Sequence, residues 1–102
     1  MKNIYIIGDV HGCLNTLKSL IKKLPVNAKI VFVGDLIDRG SNSAEVVKFI
    51  RVNNYDCVLG NHEYSMIENG ELLLEEPDLI ETNTWTNNKY KIGGLDTLKS
   101  YQ

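Results

Sequence analysis

Two carboxylates and a guanidinium lie close together in the stretch Gly34-Asp35-Leu36-Ile37-Asp38-Arg39-Gly40. The stretch follows the apolar run 30–33, which is typical of a buried strand, so it forms the loop that leaves that strand. Carboxylates in such a loop are suited to hold a cation, and the planar guanidinium of Arg39 matches a phosphate group. The residue types therefore predict a metal-assisted phosphate site at this loop.

Two further loops carry polar side chains of the same kind. They are Gly8-Asp9-Val10-His11-Gly12 near the start of the chain and Gly60-Asn61-His62-Glu63 further along it. Asp9, Asp35 and Asn61 each follow a glycine and are 26 positions apart each time. A βαβ unit needs about 30 residues, so this spacing is typical of consecutive units of that kind.

Periodicity places regular elements between these loops. Short apolar runs predict strands over 3–7, 29–33 and 55–59, and apolar positions at helical spacing predict helices over 14–24 and 41–53. The order βαβαβ predicts an α/β fold with a parallel sheet. Right-handed crossovers bring the carboxyl ends of parallel strands to one edge, so we expect the three polar loops to converge there.

The helix faces and the last third of the chain are less clearly marked. On the second helix, a buried side formed by Ala44, Val47 and Ile50 is expected, with Val46 and Phe49 beside it. Residues 63–74 favour a helix that Gly70 interrupts, residues 82–91 resist assignment, and residues 96–102 favour a short helix with Asp96 as its N-cap.

Composition excludes several classes of protein. The chain has 102 residues, 43% hydrophobic and 24% charged, which is ordinary for one globular domain. A net charge of −2 argues against a general nucleic-acid binder. We find neither a signal peptide nor an apolar segment long enough to span a membrane. The two cysteines, Cys13 and Cys57, are interpreted as reduced, at least half-buried residues of a cytoplasmic protein.

Together, the three polar loops resemble the signature motifs of the calcineurin-like metallophosphoesterases, and within them the phosphoprotein phosphatase type. They are similar to bacterial and phage serine/threonine phosphatases and to symmetrical dinucleoside tetraphosphate hydrolases. The resemblance covers residues 1–63 firmly. It extends loosely over residues 64–102, where bacterial relatives have a series similar to Trp85, Gly93-Gly94 and Thr97-Leu98.

The resemblance implies a set of metal ligands. Asp9 and His11 would bind one ion, Asp35 would bridge two ions, and Asn61 would bind the second through its amide oxygen. These donors suit divalent first-row metals, with Mn²⁺ preferred and Fe or Zn²⁺ as alternatives. A pair of ions bridged in this way lowers the pKa of a bound water and stabilises both the attacking and the leaving oxygen.

The resemblance also implies three further roles. His62 would protonate the leaving group, Asp38 would orient His62, and Arg39 would bind the phosphate oxygens. Water would attack directly, without a phosphorylated enzyme. We interpret Glu63 as an acid that supports the ligands or the start of a helix.

Each of these residues has a plainer interpretation when taken alone. On that interpretation His11 is a helix-capping residue and His62 is an ordinary loop histidine. Asp38 is then a turn-forming residue with Arg39 as its surface ion pair. The regular spacing is common to α/β domains. The presence of all three motifs in order favours the active-site interpretation.

The family pattern requires groups that are not in this sequence. It includes two more histidine ligands for the second ion and usually a second arginine on the phosphate. The only histidines here are His11 and His62, and the only arginines are Arg39 and Arg51. We therefore expect residues 1–102 to be the N-terminal half of a larger domain, with the missing C-terminal half as its partner. At most one metal should be tightly held, with turnover of p-nitrophenyl phosphate below about 1 s⁻¹.

The sequence favours a metal-dependent phosphomonoesterase acting on phosphoserine or phosphothreonine proteins, because Glu63 and the Asp38-Arg39 pair suit that group slightly better. The alternatives are a symmetrical dinucleoside tetraphosphate hydrolase, with a nucleotide polyphosphate as substrate, and a truncated non-catalytic relative. A receiver domain is excluded, because no phosphoacceptor aspartate follows the third strand and no fifth βα unit is present.

Overall fold

The structure is a computed structural model that describes residues 3–102. Three parallel strands form its sheet: β1 (Ile4–Ile7), β2 (Lys29–Phe32) and β3 (Asp56–Cys57). They lie side by side in chain order, with Ile7 opposite Phe32 and Phe32 opposite Cys57. The predicted α/β class and parallel sheet are confirmed.

Four α-helices accompany the sheet. They are α1 (Leu14–Lys22), α2 (Ser43–Val52), α3 (Asn61–Glu75) and α4 (Gly94–Ser100). Between α3 and α4 the chain forms two short 3₁₀ helices, Pro77–Glu81 and Asn88–Tyr90. The βαβαβ order predicted up to residue 59 is therefore present, followed by a helical segment that the sequence only partly indicated.

Several predicted boundaries and positions were wrong in detail. The third strand has only two residues, since β3 covers Asp56–Cys57 rather than 55–59. Gly70 does not interrupt α3, which continues for 15 residues to Glu75. The last helix begins at Gly94, with Gly93 rather than Asp96 at the N-cap. Cys13 and Cys57 are both exposed, whereas burial was expected.

One face of the sheet is covered by the two crossover helices. Consecutive strands in the order 1-2-3 with right-handed crossovers place both helices on the same side. The core there includes residues from β1, β2 and both of these helices: Ile7, Leu17, Ile30, Phe32, Val46 and Ile50. On α2 the expected burial of Val46 and Ile50 is confirmed, and Val47 and Phe49 pack partly buried against the core. Ser43 is also buried, which was not expected.

The opposite face of the sheet is exposed. Ile4 and Ile6 alternate with the core residues of β1 and are 61% and 71% exposed. Val33 and Val58 continue this apolar face beyond the ends of β2 and β3. Parallel sheets usually have both faces covered, whereas in residues 3–102 this apolar face remains exposed. Within residues 3–102, no helix combines the length and the apolarity that crossing a bilayer requires.

Candidate active site at the carboxyl edge of the sheet

The first two polar loops are joined by their backbones. Val10 N and His11 N both donate to the carbonyl oxygen of Asp35 at 3.0 Å, and Gly12 N donates to Leu36 O at 2.8 Å. The convergence expected from the parallel topology is therefore present, and backbone hydrogen bonds fix the position of one loop against the other.

The loops have an unusual backbone conformation at the residues singled out by sequence. His11, Asp35, Asp38 and Arg39 have φ values of 44°, 53°, 74° and 72°, in the left-handed region that side chains disfavour. Such residues persist where surrounding contacts hold them, and they are frequent at functional sites. Gly34 allows the loops to approach, since a Cβ there would collide with the backbone of Gly60.

The imidazole of His11 is oriented by a backbone carbonyl. Its Nδ1 lies 2.8 Å from Ile37 O, so Nδ1 carries a proton and donates it there. The lone pair of the neutral ring is then at Nε2, which lies 3.6 Å from Oδ2 of the exposed Asp9. A carbonyl that fixes the tautomer in this way is the usual arrangement behind a metal-binding histidine.

Asp35 and Asn61 occupy neighbouring positions on the second and third loops. Oδ1 of Asp35 accepts a hydrogen bond from His62 N at 3.0 Å, and a Cβ at Gly60 would collide with the same carboxylate. Asn61 is the first residue of α3 and is exposed. The start of α3 is thus positioned directly against Asp35.

Glu63 organises the backbone between these two loops. Its Oε1 accepts from Asp35 N at 2.6 Å and from Gly60 N at 2.8 Å, and its Oε2 accepts from Leu36 N at 2.8 Å. One carboxylate therefore satisfies three amides from two loops, including the N-cap amide of its own helix. This agrees with its interpretation as a supporting acid.

His62 and Asp38 form a close pair. Nδ1 of His62 lies 2.8 Å from Oδ2 of Asp38, which is fully buried. The imidazole rings of His62 and His11 also form a T-shaped pair, with 4.5 Å between their centroids and 77° between their planes. The donation from Nδ1 to Asp38 leaves Nε2 as the nitrogen that can exchange a proton with another group.

Asp38 has two more partners that sequence reasoning did not assign. Trp85 Nε1 donates to Oδ2 at 2.9 Å, and the Thr97 hydroxyl donates to Oδ1 at 2.6 Å. Both residues are buried, at 1% and 0% exposure. The sequence signal was the series of Trp85 and Thr97 shared with bacterial relatives, but it indicated no contact with Asp38.

Arg39 is exposed and is held through its backbone. Its amide donates to Gly93 O at 3.2 Å. Gly93 itself has φ 94°, and a Cβ at this position would collide with the backbone of Arg39. The Gly93-Gly94 turn therefore supports the residue predicted to bind phosphate.

Nearly the whole chain matches a known protein family. Residues 2–100 match the calcineurin-like phosphoesterase family. The chain belongs to that family. The resemblance to this family that was drawn from the three loops is therefore confirmed.

Several individual relatives of this family member carry the same description. A symmetrical bis(5'-nucleosyl)-tetraphosphatase of Coxiella burnetii is 34% identical in an alignment 101 positions long that covers 82% of this chain and 35% of that protein. The protein of that description from Marinomonas sp. is 39% identical over 85 residues, covering 70% of this chain and 31% of the relative. The chain thus spans about a third of the length of these curated relatives.

A solved structure is also similar. It belongs to a protein provisionally described as a diadenosine tetraphosphatase, is 31% identical, and aligns with a TM-score of 0.59. The alignment covers 72% of this chain and 35% of that structure. This likeness supports both the fold and the family.

Members of this family generally use divalent metal ions, and the donor chemistry here fits such an ion. Two carboxylates, one imidazole nitrogen and one amide oxygen come from Asp9, His11, Asp35 and Asn61, a mixture that suits borderline and hard divalent metals. Across residues 3–102, however, no three His, Cys, Asp or Glu side chains gather closely enough to form a metal group. The donor types fit, while their convergence is incomplete.

Proposed function

We propose that the chain supplies the catalytic loops of a metal-dependent hydrolase that cleaves dinucleoside tetraphosphates symmetrically. The observation that supports this most directly is the His62–Asp38 pair, 2.8 Å apart, beside His11 at the carboxyl edge of the sheet. The relatives add the substrate class, because those reported above are described as tetraphosphatases of this kind.

In this reaction the oxygen of a water molecule forms a bond to one of the two central phosphorus atoms, and the water loses a proton to solvent. The bond from that phosphorus to the oxygen between the two central phosphorus atoms breaks. One nucleoside diphosphate leaves with that oxygen, and the attacked phosphorus remains in the second nucleoside diphosphate. His62 donates a proton from Nε2 to the leaving oxygen, while the buried carboxylate of Asp38 accepts the hydrogen bond from Nδ1 and balances the imidazolium charge. Arg39 binds phosphate oxygens with the two parallel N–H groups of its guanidinium.

Asp9, His11, Asp35 and Asn61 would hold the metal. A bound divalent ion supplies polarisation of a phosphoryl oxygen and activation of water. With only two histidines in the chain, and His62 engaged by Asp38, we keep the prediction that at most one ion is tightly held. The identity of the ion, with Mn²⁺ preferred over Fe and Zn²⁺, belongs to the same proposal.

The comparisons favour this substrate over a phosphoprotein. The preference for a protein phosphatase relied on Glu63 and on the Asp38-Arg39 pair. Glu63 binds backbone amides of the chain, so it carries no information about the substrate. The Asp38-Arg39 pair is equally suited to either kind of phosphate. The phosphoprotein interpretation thus has no support from the relatives reported above.

The proposal is tested by incubating the protein with Mn²⁺ and either diadenosine tetraphosphate or a phosphoserine peptide. We expect adenosine diphosphate as the sole product of the dinucleotide, at a rate above that on the peptide and below about 1 s⁻¹. The His62→Asn variant, prepared in the same way, controls for contaminating hydrolases. Release of AMP with ATP, or a rate that this variant does not lower, would overturn the proposal.

A further inference from the structure

The carboxylate of Asp38 is buried and is held by hydrogen bonds from three other side chains. It is 0% exposed and accepts three hydrogen bonds, one each from His62, Trp85 and Thr97. A buried charge is costly unless it is paired and hydrogen-bonded. Because water does not reach this position, the loss of one donor leaves an oxygen without a replacement partner.

The three donors also fix the rotation of the carboxylate. Thr97 engages Oδ1, while Trp85 and His62 share Oδ2. Since the two oxygens have different partners on different elements, a rotation about the Cβ–Cγ bond would break all three hydrogen bonds. The orientation of the acceptor for His62 Nδ1 is thus set by residues distant in the sequence.

Thr97 acts on the backbone of Asp38 as well as on its side chain. Its hydroxyl oxygen accepts from Asp38 N at 2.8 Å, and Ser43 Oγ accepts from the same amide at 3.1 Å. Asp38 has φ 74°, a conformation that needs such support. One hydroxyl therefore stabilises both the strained backbone and the carboxylate of this residue.

The segment that carries Trp85 and Thr97 is itself anchored to two helices. Asn83 Oδ1 accepts from Trp85 N at 2.9 Å, and Asn83 Nδ2 donates to Asn69 of α3 at 2.9 Å. At its other end, Ser100 Oγ accepts from Ala44 N of α2 at 3.0 Å. We refer to residues 83–100 as the brace, since they connect both helices with the loop of Asp38.

We propose that the brace positions the catalytic histidine: Trp85 and Thr97 lock the Asp38 carboxylate so that His62 keeps its proton on Nδ1 and presents Nε2 to the substrate. Trp85 and Thr97 are positioning residues, since they act through Asp38. The catalytic consequence rests on the proposed function, whereas the effect on the His62 tautomer does not depend on it.

The test uses NMR of the ¹⁵N-labelled full chain. It has only two histidines and one tryptophan, so the imidazole and indole signals are readily assigned. Thr97→Val removes the hydroxyl, Thr97→Ser restores it, and Trp85→Phe removes the indole N–H. The matched control is Thr86→Val, because Thr86 is also buried in the brace but its hydroxyl donates to Ile80 O instead.

In the wild type, measured where the imidazole of His62 is neutral, we expect its Nδ1–H tautomer to predominate, with slow exchange of this proton and of the indole proton. Thr97→Val and Trp85→Phe should speed exchange of the His62 proton about tenfold and mix the two tautomers, since one hydrogen bond to the carboxylate is lost. Thr97→Ser should restore the wild-type signal, and Thr86→Val should retain it.

Two results would overturn the inference. One is an unchanged His62 tautomer and exchange rate in both folded variants, or an equal change in Thr86→Val. The other can be measured on the wild type alone, should the variants not fold. It is exchange of the His62 Nδ1 proton and of the Trp85 indole proton at the rates of free side chains. Failure of the proposed function would be seen separately, as wild-type protein that binds metal but does not hydrolyse the dinucleotide.

Discussion

The motif loops (residues 8–12, 34–40 and 60–63) and the brace meet at Asp38, yet they are built in opposite ways. The loops contain the exposed polar side chains of Asp9, Arg39 and Asn61 and have left-handed backbone at four non-glycine positions. The brace contributes Trp85 and Thr97, which are fully enclosed. Groups proposed to bind metal or substrate remain accessible, and groups that fix the position of Asp38 are buried with their hydrogen bonds satisfied.

The comparison teaches that the candidate site depends on a region to which no metal ligand or catalytic role was assigned from sequence. Asp38 belongs to a loop, but two of its three carboxylate partners come from the brace. The strained loop is therefore supported from outside its own sequence. If this division is correct, substitutions in the loops should mainly change the chemistry, whereas those in the brace should mainly change stability and orientation.

The largest effect is expected for His62→Asn, which removes the proton donor from the loops. The rate on diadenosine tetraphosphate should fall by about 10²-fold, with KM changed less than about twofold. This is the low end for general acid catalysis, because a leaving diphosphate is a weaker base than an alkoxide. Steady-state kinetics with Tyr64→Phe, an exposed neighbour on α3, provides the control. A loss of less than about threefold would remove His62 from the chemistry.

The second effect concerns Glu63, a loop residue with a supporting role. Glu63→Gln replaces one acceptor oxygen by an NH₂ group, which faces the backbone N–H groups that the carboxylate binds. We expect the free energy of unfolding to fall by about 2–3 kcal/mol, measured by urea titration. Glu68→Gln, at an exposed position of the same helix, should change it by less than about 0.5 kcal/mol. Equal stability of the two variants would contradict the contacts described for Glu63.

The third effect compares two glycines. Gly93→Ala in the brace places a methyl group against Arg39 at φ 94°, which should cost at least about 1–2 kcal/mol of folding free energy. Gly70→Ala in α3 meets no atom within 4 Å and should stabilise the helix by about 0.5–1 kcal/mol. Thermal unfolding of both variants measures whether each substitution lowers or raises the stability of the fold. Were both substitutions to stabilise the chain, the brace would not be the tight support of Arg39 described above.

The smallest effect concerns Cys57, at the end of β3. Partial burial, together with the negative charge of Glu63, raises the pKa of the Cys57 thiol above its ordinary value. Its alkylation in the Cys13→Ser variant should therefore need a higher pH in the folded protein than in urea, as measured by mass spectrometry. The raised pKa also means that folding stability falls as the pH rises between the unfolded-state and folded-state pKa values. An identical pH profile in both states would be evidence against the shift.

The sheet and the convergence of the loops could be predicted from sequence because both follow from local patterns. Apolar runs followed by glycines mark the strands. Right-handed crossovers then bring the carboxyl ends of the strands, and with them the three loops, to one edge of the sheet. Asp38 and His62 were paired through the resemblance, and the 2.8 Å contact agrees with that expectation. Their catalytic and metal-binding roles remain proposals.

The contacts of Trp85 and Thr97 with Asp38 were not predictable in this way. These contacts join residues that are 47 and 59 positions apart. No local sequence pattern around Trp85 or Thr97 predicts a hydrogen bond to a carboxylate. The burial of Ser43 on α2 was not indicated by the sequence either, since it comes with a hydrogen bond in which the Ser43 hydroxyl accepts from Asp38 N.

The left-handed residues of the loops create a conflict between two kinds of selection. Arg39 has φ 72°, so replacing it with glycine would remove about 1–2 kcal/mol of backbone strain. The same holds for the other left-handed residues of the loops, His11, Asp35 and Asp38. A laboratory screen for heat resistance alone would thus favour Arg39→Gly and discard the predicted phosphate-binding group. Thermostabilised variants of this chain should be selected for stability and turnover together, since at these positions the two are opposed.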